Sequence, residues 1–92
     1  MPALRVSRSS HPQAVAGAVA AILRNGGIVE LEAVGAAAVN QTVKAVAIAR
    51  KLLASAAIDL VLQPSFFDAD MQGLNRTGIR FSVITIVRER TN

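Results

Sequence analysis

The sequence contains no cysteine, no tryptophan and no tyrosine, and each absence excludes a class of structure or chemistry. Without cysteine the chain has no disulfide, no thiolate metal ligand and no cysteine nucleophile, which fits a reducing cytoplasm. The only aromatic residues are three phenylalanines, so no aromatic stripe is present to stack on single-stranded bases. A core of small aliphatic side chains buries little area per residue, so we expect stability to depend partly on a partner subunit.

Long hydrophobic runs are also missing. The longest apolar run, residues 14–23, is about half of the ~20 residues that a membrane span needs, and it contains Gly17. The first residues carry no apolar segment of the kind that a secretory signal requires. With 92 residues in all, the chain is predicted to form a single cytoplasmic domain, 1–92.

The charge balance is basic. Ten lysines and arginines against six acidic residues give a net charge of +4, and the isoelectric point is about 11.2. A basic small domain has the long-range electrostatic field expected of a protein that meets polyanions, nucleic acids above all.

The order of elements along the chain is strand, helix, strand, helix, strand, strand. Ser9 and Ser10 offer hydroxyls as N-caps of the first helix, and Pro12 suits its first turn. Asn25 and the two glycines after it end that helix, and Gly35 separates the second strand from the second helix. We expect strands over residues 3–7, 28–34, 58–67 and 77–88, a second helix over 36–54, and a polar hairpin loop over 68–75.

This βαβαββ order predicts an α+β fold, a four-stranded mixed sheet with both helices on one face. The first helix has one apolar face, whereas the second has two. The residues are Val15, Ala18, Val19 and Ile22 in the first helix, then Val39, Val43, Val46 and Leu53 as the core stripe of the second, and Ala45, Ile48 and Leu52 as its other ridge. A helix that is apolar on two sides contacts two surfaces, so this other ridge is the predicted homodimer interface.

No set of residues assembles a catalytic or metal site. His11 is the only histidine and lies at a helix start, so no other residue could serve as the histidine of a Ser-His-Asp triad. Asp68 and Asp70 lack the further oxygens that a calcium loop needs, and Glu30 and Glu32 share a strand face without a pocket. The glycines fit no phosphate-binding motif. The sequence predicts a protein that is not an enzyme and has no cofactor and no metal.

The basic and polar residues predict several phosphate contacts instead. They lie before the first helix, along one flank of the second helix and at the base of the last hairpin, which we expect to project as an arm. The candidate nucleic-acid-binding residues are Arg8, Ser9, Ser10, Asn40, Gln41, Lys44, Lys51, Arg76 and Arg80. Arg50 lies near the core stripe, so we expect it to form an ion pair with Glu30 or Glu32 rather than to bind phosphate.

Three segments resemble the stage V sporulation protein S family: residues 38–50 above all, then 6–12 and 75–80. That family is itself similar to Alba, an archaeal chromatin protein with a βαβαββ fold that binds DNA and RNA as a dimer. The resemblance covers nearly the whole chain. It implies an Alba-like fold, a homodimer, a nucleic-acid partner and a part in sporulation or developmental control.

The resemblance to Alba is partial at the binding positions. Ser9 and Ser10 stand where Alba has two lysines, Gln41 stands where it has another, and Gly35 and alanines replace its arginines before the second helix. Counterparts are retained at Arg50, Arg76 and Arg80. Two functions therefore remain open, a regulatory protein that binds DNA or RNA, and a protein-interaction adaptor or small-ligand sensor on the same fold.

Overall fold

The computed structural model describes residues 3–87, which form a four-stranded sheet with two helices packed on one face of it. In chain order the elements are β1 (Ala3–Val6), α1 (Pro12–Arg24), β2 (Val29–Ala33), α2 (Ala36–Leu53), a 3₁₀ turn (Ala54–Ala56), β3 (Ile58–Met71) and β4 (Leu74–Val87). The sheet order is β1-β2-β4-β3, with β1 and β2 parallel and the other pairs antiparallel. The predicted α+β fold, consistent with the Alba-like fold, is confirmed. The predicted end of the last strand, Arg88, lies outside the described residues.

The alternation of side chains along β2 separates the two faces of the sheet. Val29, Leu31 and Ala33 are fully buried against the helices, because successive residues of a strand point to opposite faces. Glu30 and Glu32 lie between them and point to the other face, which no described helix covers. We call this second surface the open face.

The last two strands are longer than expected, and the predicted polar loop over residues 68–75 is wrong. β3 and β4 pair without interruption from Ile58 and Val87 to Met71 and Leu74. The turn has only two residues, Gln72 with φ 57° and Gly73 with φ 78°. Positive φ at both central positions matches the right-handed twist of the strands, so the polar residues before the turn continue as strand.

The hairpin extends beyond the rest of the sheet. β2 pairs with β4 only from Ile79 to Val83, so no third strand of the described chain lies beside residues 67–78. We call residues 67–78 the arm. The sequence predicts a projecting hairpin at this position, and the structure gives it a strand conformation up to the two-residue turn.

Helix α1 begins later than the predicted serine caps. Its N-cap is His11, which is exposed and makes no side-chain capping bond, and Pro12 is the first helical residue. Ser9 and Ser10 lie in the preceding turn, where the Ser10 N–H donates to the Ser7 carbonyl at 3.1 Å. The face that packs inward is Ala16, Val19, Ala20 and Leu23, so Ala18 is exposed rather than part of the apolar face.

Helix α2 packs through small residues. Val43, predicted for its core stripe, is 46% exposed, and the buried positions are instead Ala38, Thr42, Ala45, Val46, Ala49 and Leu53. Alanine side chains permit a close approach of the helix to the sheet. Thr42 is the one polar residue among these buried positions, and its hydroxyl has a hydrogen-bond partner within the helix. The Thr42 hydroxyl donates to the Ala38 carbonyl at 2.9 Å, so its burial leaves no group without a partner.

Candidate nucleic-acid interface

A groove of about 450 Å³ lies at the carboxyl ends of β1 and β2, between the start of α2 and the arm. Three arginines from separate parts of the chain line it: Arg5 of β1, Arg8 of the turn that follows, and Arg76 of the arm. Residues 34–38 form the opposite wall. Three guanidinium groups around one groove favour a phosphate or another anion there.

The start of α2 adds to the positive potential of this groove. The helix is 18 residues long, its N-cap is Gly35, and no side chain caps its first N–H groups. Those N–H groups carry the positive end of the helix dipole and lack partners within the helix. Gly35 has φ 93°, a conformation that a residue with a side chain rarely adopts.

Two of the three groove arginines have no acidic partner in the part of the chain that the structure describes. Within residues 3–87, the side chains of Arg8 and Arg76 form no hydrogen bond and no ion pair, and both residues are exposed. Arg5 was not predicted as a binding residue from the sequence. Because Leu4 and Val6 on either side of it are apolar, the alternation of side chains along β1 could have placed it on the open face. Its guanidinium donates to the Met71 thioether across 3.7 Å and so contacts the arm.

The serines and the glutamine predicted to bind nucleic acid have structural partners. The Ser10 hydroxyl accepts from the Ser7 N–H at 2.9 Å, and the Ser7 and Ser9 hydroxyls are 3.0 Å apart. The Gln41 amide donates to the carbonyls of Arg8 and Ser10 at 3.2 and 3.1 Å. These bonds fasten the turn that carries Arg8 to helix α2, so the residues position the arginine.

The remaining predicted positions lie along helix α2. Asn40, Lys44 and Lys51 are exposed, and their spacing of four and seven places them on one flank of the helix. Lys44 lines a shallow hollow with His11 and the start of α1, and Lys51 lines another near the end of α2. They therefore extend the basic surface along the helix rather than lining the groove.

The open face of the sheet carries a row of charges across three strands. Arg5, Glu32 and Arg80 are direct neighbours in register on β1, β2 and β4. Arg80 donates to one oxygen of Glu32 from Nε at 3.0 Å and from Nη2 at 2.7 Å, and Arg5 donates to the other oxygen at 3.3 Å. These bonds, Arg80's foremost, hold the pKa of Glu32 below its usual value against the opposing effect of burial.

Arg50 forms its ion pair elsewhere than predicted. It contacts Asp59 at the start of β3, with Nη2 donating to Oδ2 at 3.2 Å and Nε donating to Oδ1, and not Glu30 or Glu32. The bonded carboxylate raises the pKa of Arg50. Asp59 follows α2 and belongs to β3, so the periodicity of α2 could not have indicated this partner.

The predicted dimer ridge does not form one continuous surface. Ala45 is fully buried within the chain, Ile48 packs partly against the core, and Leu52 is 45% exposed. Large exposed apolar side chains also occur on several other elements, and Phe66 on β3 is the most exposed of them at 79%. The others are Ile28, Val43, Val61, Met71, Leu74, Ile84 and Ile86.

Val43 and Phe66 both belong to the helix-bearing side of the sheet. Val43 is seven residues before Arg50 and so on the same flank of α2, and Arg50 reaches β3 through Asp59. On β3, alternation places Phe66 on the face of the buried Leu60, with Leu62 and Pro64 between them. We call Val43, Pro64 and Phe66 the apolar side.

Residues 3–87 lack two further kinds of feature. No helix there is both long and apolar enough to cross a membrane. The same stretch contains no group of three or more histidine, cysteine, aspartate or glutamate side chains arranged to hold a metal ion.

Comparison with known protein families identifies a relationship that covers the groove, the arm and the open face together. A family model for stage V sporulation protein S matches residues 2–86. That match extends over nearly all of the 92 residues and confirms the predicted resemblance. The chain belongs to the stage V sporulation protein S family, and is thereby a small protein of a sporulation-related family.

Proposed function

We propose that this protein is a non-enzymatic regulator that binds DNA or RNA as a homodimer and contributes to sporulation or developmental control. The observation that carries the proposal is the convergence of Arg5, Arg8 and Arg76 on one groove beside the start of α2. Arg8 and Arg76 have no acidic partner within the described part of the chain. Unpaired guanidinium groups around a groove are suited to phosphate oxygens, which supply most of the affinity in nucleic-acid binding.

In this proposal the phosphate backbone lies in the groove and the arm follows it. Arg76 is carried on a two-stranded ribbon, a shape that fits a groove of a duplex. Lys44 and Lys51 supply further contacts along α2 at longer range. The groove arginines would contact phosphates rather than base edges, so we expect binding to depend strongly on salt and weakly on sequence.

The decisive variant is Arg8→Gln combined with Arg76→Gln, titrated against fluorescently labelled duplex DNA and structured RNA over a salt series. We expect the slope of log affinity against log salt to flatten by roughly 1.8 on duplex DNA, because each lost phosphate contact removes about 0.9. Affinity at low salt should fall in parallel.

The matched control removes two arginines at the other end of the helices. Arg24 donates to the Leu52 carbonyl at 3.2 Å and Arg50 is held by Asp59, so Arg24→Gln with Arg50→Gln makes the same change in net charge away from the groove. An equal loss of affinity in both double variants would show that net charge alone matters. It would contradict the groove as the binding site.

We place the homodimer interface at the apolar side rather than at the ridge predicted from the sequence. Phe66 is 79% exposed and Val43 is 46% exposed, and large apolar side chains left open to solvent are typical of a protein contact. A two-fold axis through this side would set the same patch of each subunit against its copy. Ala45 takes no part, because it is buried within its own chain.

Phe66→Ser is therefore expected to convert the dimer to a monomer, measured by size-exclusion chromatography with light scattering. The exposed ring stabilises the isolated chain little, so the variant should remain folded by circular dichroism. Leu74→Ser on the arm, also an exposed apolar position, is the control and should remain dimeric. A Phe66→Ser dimer, or a wild-type monomer, would refute this interface.

The alternative function is a protein-interaction adaptor or small-ligand sensor. It is favoured by the exposed apolar residues Phe66 and Leu74 and by neutral groups at positions where Alba is basic. The ratio of absorbance at 260 and 280 nm of the purified protein separates the two functions. The chain has no tryptophan and no tyrosine, so even slight nucleic-acid carry-over is visible. A protein free of nucleic acid that retains partners from nuclease-treated extract would favour the adaptor.

A further inference from the structure

The row Arg5–Glu32–Arg80 contains two arginines and one carboxylate. Glu32 is largely enclosed, with 15% of its side chain exposed, whereas the two arginine side chains are 47% and 37% exposed. Each carboxylate oxygen accepts from a different arginine. Both guanidinium groups are therefore oriented toward Glu32, and half of their combined charge is neutralised at short range.

Phe67 fixes the same two arginines from the side of the arm. The guanidinium carbon of Arg80 lies 5.1 Å from the centre of the Phe67 ring, and that of Arg5 lies 5.5 Å from it. Both distances are within the range of a cation–π contact. The aromatic ring and the carboxylate together hold Arg5 and Arg80 against the sheet.

Arg5 belongs to two surfaces, the row on the open face and the groove. It lines the groove with Arg8 and Arg76, while its Nη2 is bonded to Glu32. A phosphate that approaches Arg5 must either detach the guanidinium from Glu32 or approach the carboxylate as well. Both routes oppose binding, because a charge-assisted bond is lost or two anions come together.

We propose that Glu32 limits the affinity of this protein for polyanions by holding Arg5 and Arg80 in ion pairs. The inference rests on the proposed function and names the residue that regulates its binding surface. With the Glu32 charge removed, Arg8, Arg5 and Arg80 form one continuous basic surface from the groove onto the open face. The protein as it stands binds phosphate with fewer arginines than it carries near the groove.

The test compares Glu32→Gln with Glu30→Gln on labelled duplex DNA over a salt series. Both substitutions remove one negative charge from the same face of β2. Among residues 3–87, however, the Glu30 side chain accepts only from the Ser82 hydroxyl, at 3.3 Å, and holds no arginine. We expect Glu32→Gln to bind about tenfold more tightly at low salt, with a salt slope steeper by about 0.9 for each arginine released. Glu30→Gln should change affinity far less.

A second measurement begins in the wild-type background, where its first comparison does not depend on the Glu32 variant being folded. If Glu32 restrains Arg5, then Arg5→Gln in the otherwise wild-type protein should cost less affinity than Arg8→Gln, although both arginines line the groove. In the Glu32→Gln background, the cost of Arg5→Gln should rise to that of Arg8→Gln. Unfolding followed by circular dichroism monitors the integrity of each variant.

The outcomes separate this proposal from the proposed function. Suppose that the wild type binds, and that Glu32→Gln either changes affinity as little as Glu30→Gln does or weakens binding. That result would leave the proposed function standing and overturn the role of Glu32. Equal costs of Arg5→Gln and Arg8→Gln in the wild-type background would also overturn it. Binding by Glu32→Gln but not by wild type would support it, and absence of binding by every variant at low salt would overturn both proposals.

Discussion

Leu31→Ala is expected to lower the free energy of unfolding by about 2–5 kcal/mol, the cost of a large cavity in a closely packed core. Leu31 is fully buried in β2 and lies between Leu4 of β1 and Phe81 of β4. The core cluster to which Leu31 belongs is built largely of valines and alanines, whose short side chains cannot extend to fill the vacated space. A domain of this size has a total stability of roughly 5–15 kcal/mol, so the variant should lie close to unfolding.

Urea unfolding followed by circular dichroism, at one fixed protein concentration, measures this loss. Ile28→Ala is the control, because Ile28 precedes the same strand and is 57% exposed. We expect that change to remain within about 0.5 kcal/mol of wild type. A loss below about 1 kcal/mol for Leu31→Ala would mean that the core closes around the cavity.

Gly78→Ala is expected to destabilise the protein by about 1–3 kcal/mol and to displace the arm. A Cβ atom at Gly78 would lie 2.5 Å from a ring carbon of Phe67 and 2.8 Å from the Ala33 carbonyl oxygen. The ring can rotate, but the carbonyl belongs to the backbone of β2 and cannot. Since Phe67 faces the guanidinium groups of Arg5 and Arg80, the same clash disturbs the row that holds them.

The matched control for this prediction is Gly17→Ala. Apart from its chain neighbours and the adjacent backbone of α1, no atom of the described residues lies within 4 Å of a Cβ placed at Gly17, which is exposed within α1. Alanine in a helix interior is favoured over glycine by about 0.5–1 kcal/mol. Unfolding measurements should therefore show opposite signs for the two substitutions, and a neutral Gly78→Ala would contradict the close approach of the ring.

Much of the fold was predictable because local signals and the global order of elements agree. Pro12 and the glycines after Asn25 mark the limits of α1, and β2 shows a period of two. The hairpin was not predictable in detail, because Asp68, Asp70 and Asn75 are typical of a loop. Their place in strands depends on the Gln72-Gly73 turn, whose left-handed conformation the sequence indicates only weakly.

The packing of α2 and the site were harder to predict, for different reasons. Valine carries more apolar surface than alanine, so the helical wheel favoured Val43 over Ala45 and Ala49, although the tight approach to the sheet requires the small residues. The groove depends on Arg5, Arg8 and Arg76 meeting across large separations in the chain. Periodicity has no means of showing such contacts, and the Glu32 row depends on strand register in the same way.

The outer edge of β3 has a consequence for how the protein behaves at high concentration. Within residues 3–87 this strand of 14 residues pairs only with β4, and a long open edge invites sheet growth and fibre formation. If β3 of a second copy paired antiparallel with this edge about Ala69, Asp68 of one chain would lie opposite Asp70 of the other. If the pairing were centred nearer the start of the strand, it would include Pro64, which has no N–H to donate. Repulsion between the two carboxylates therefore disfavours edge-to-edge aggregation through β3.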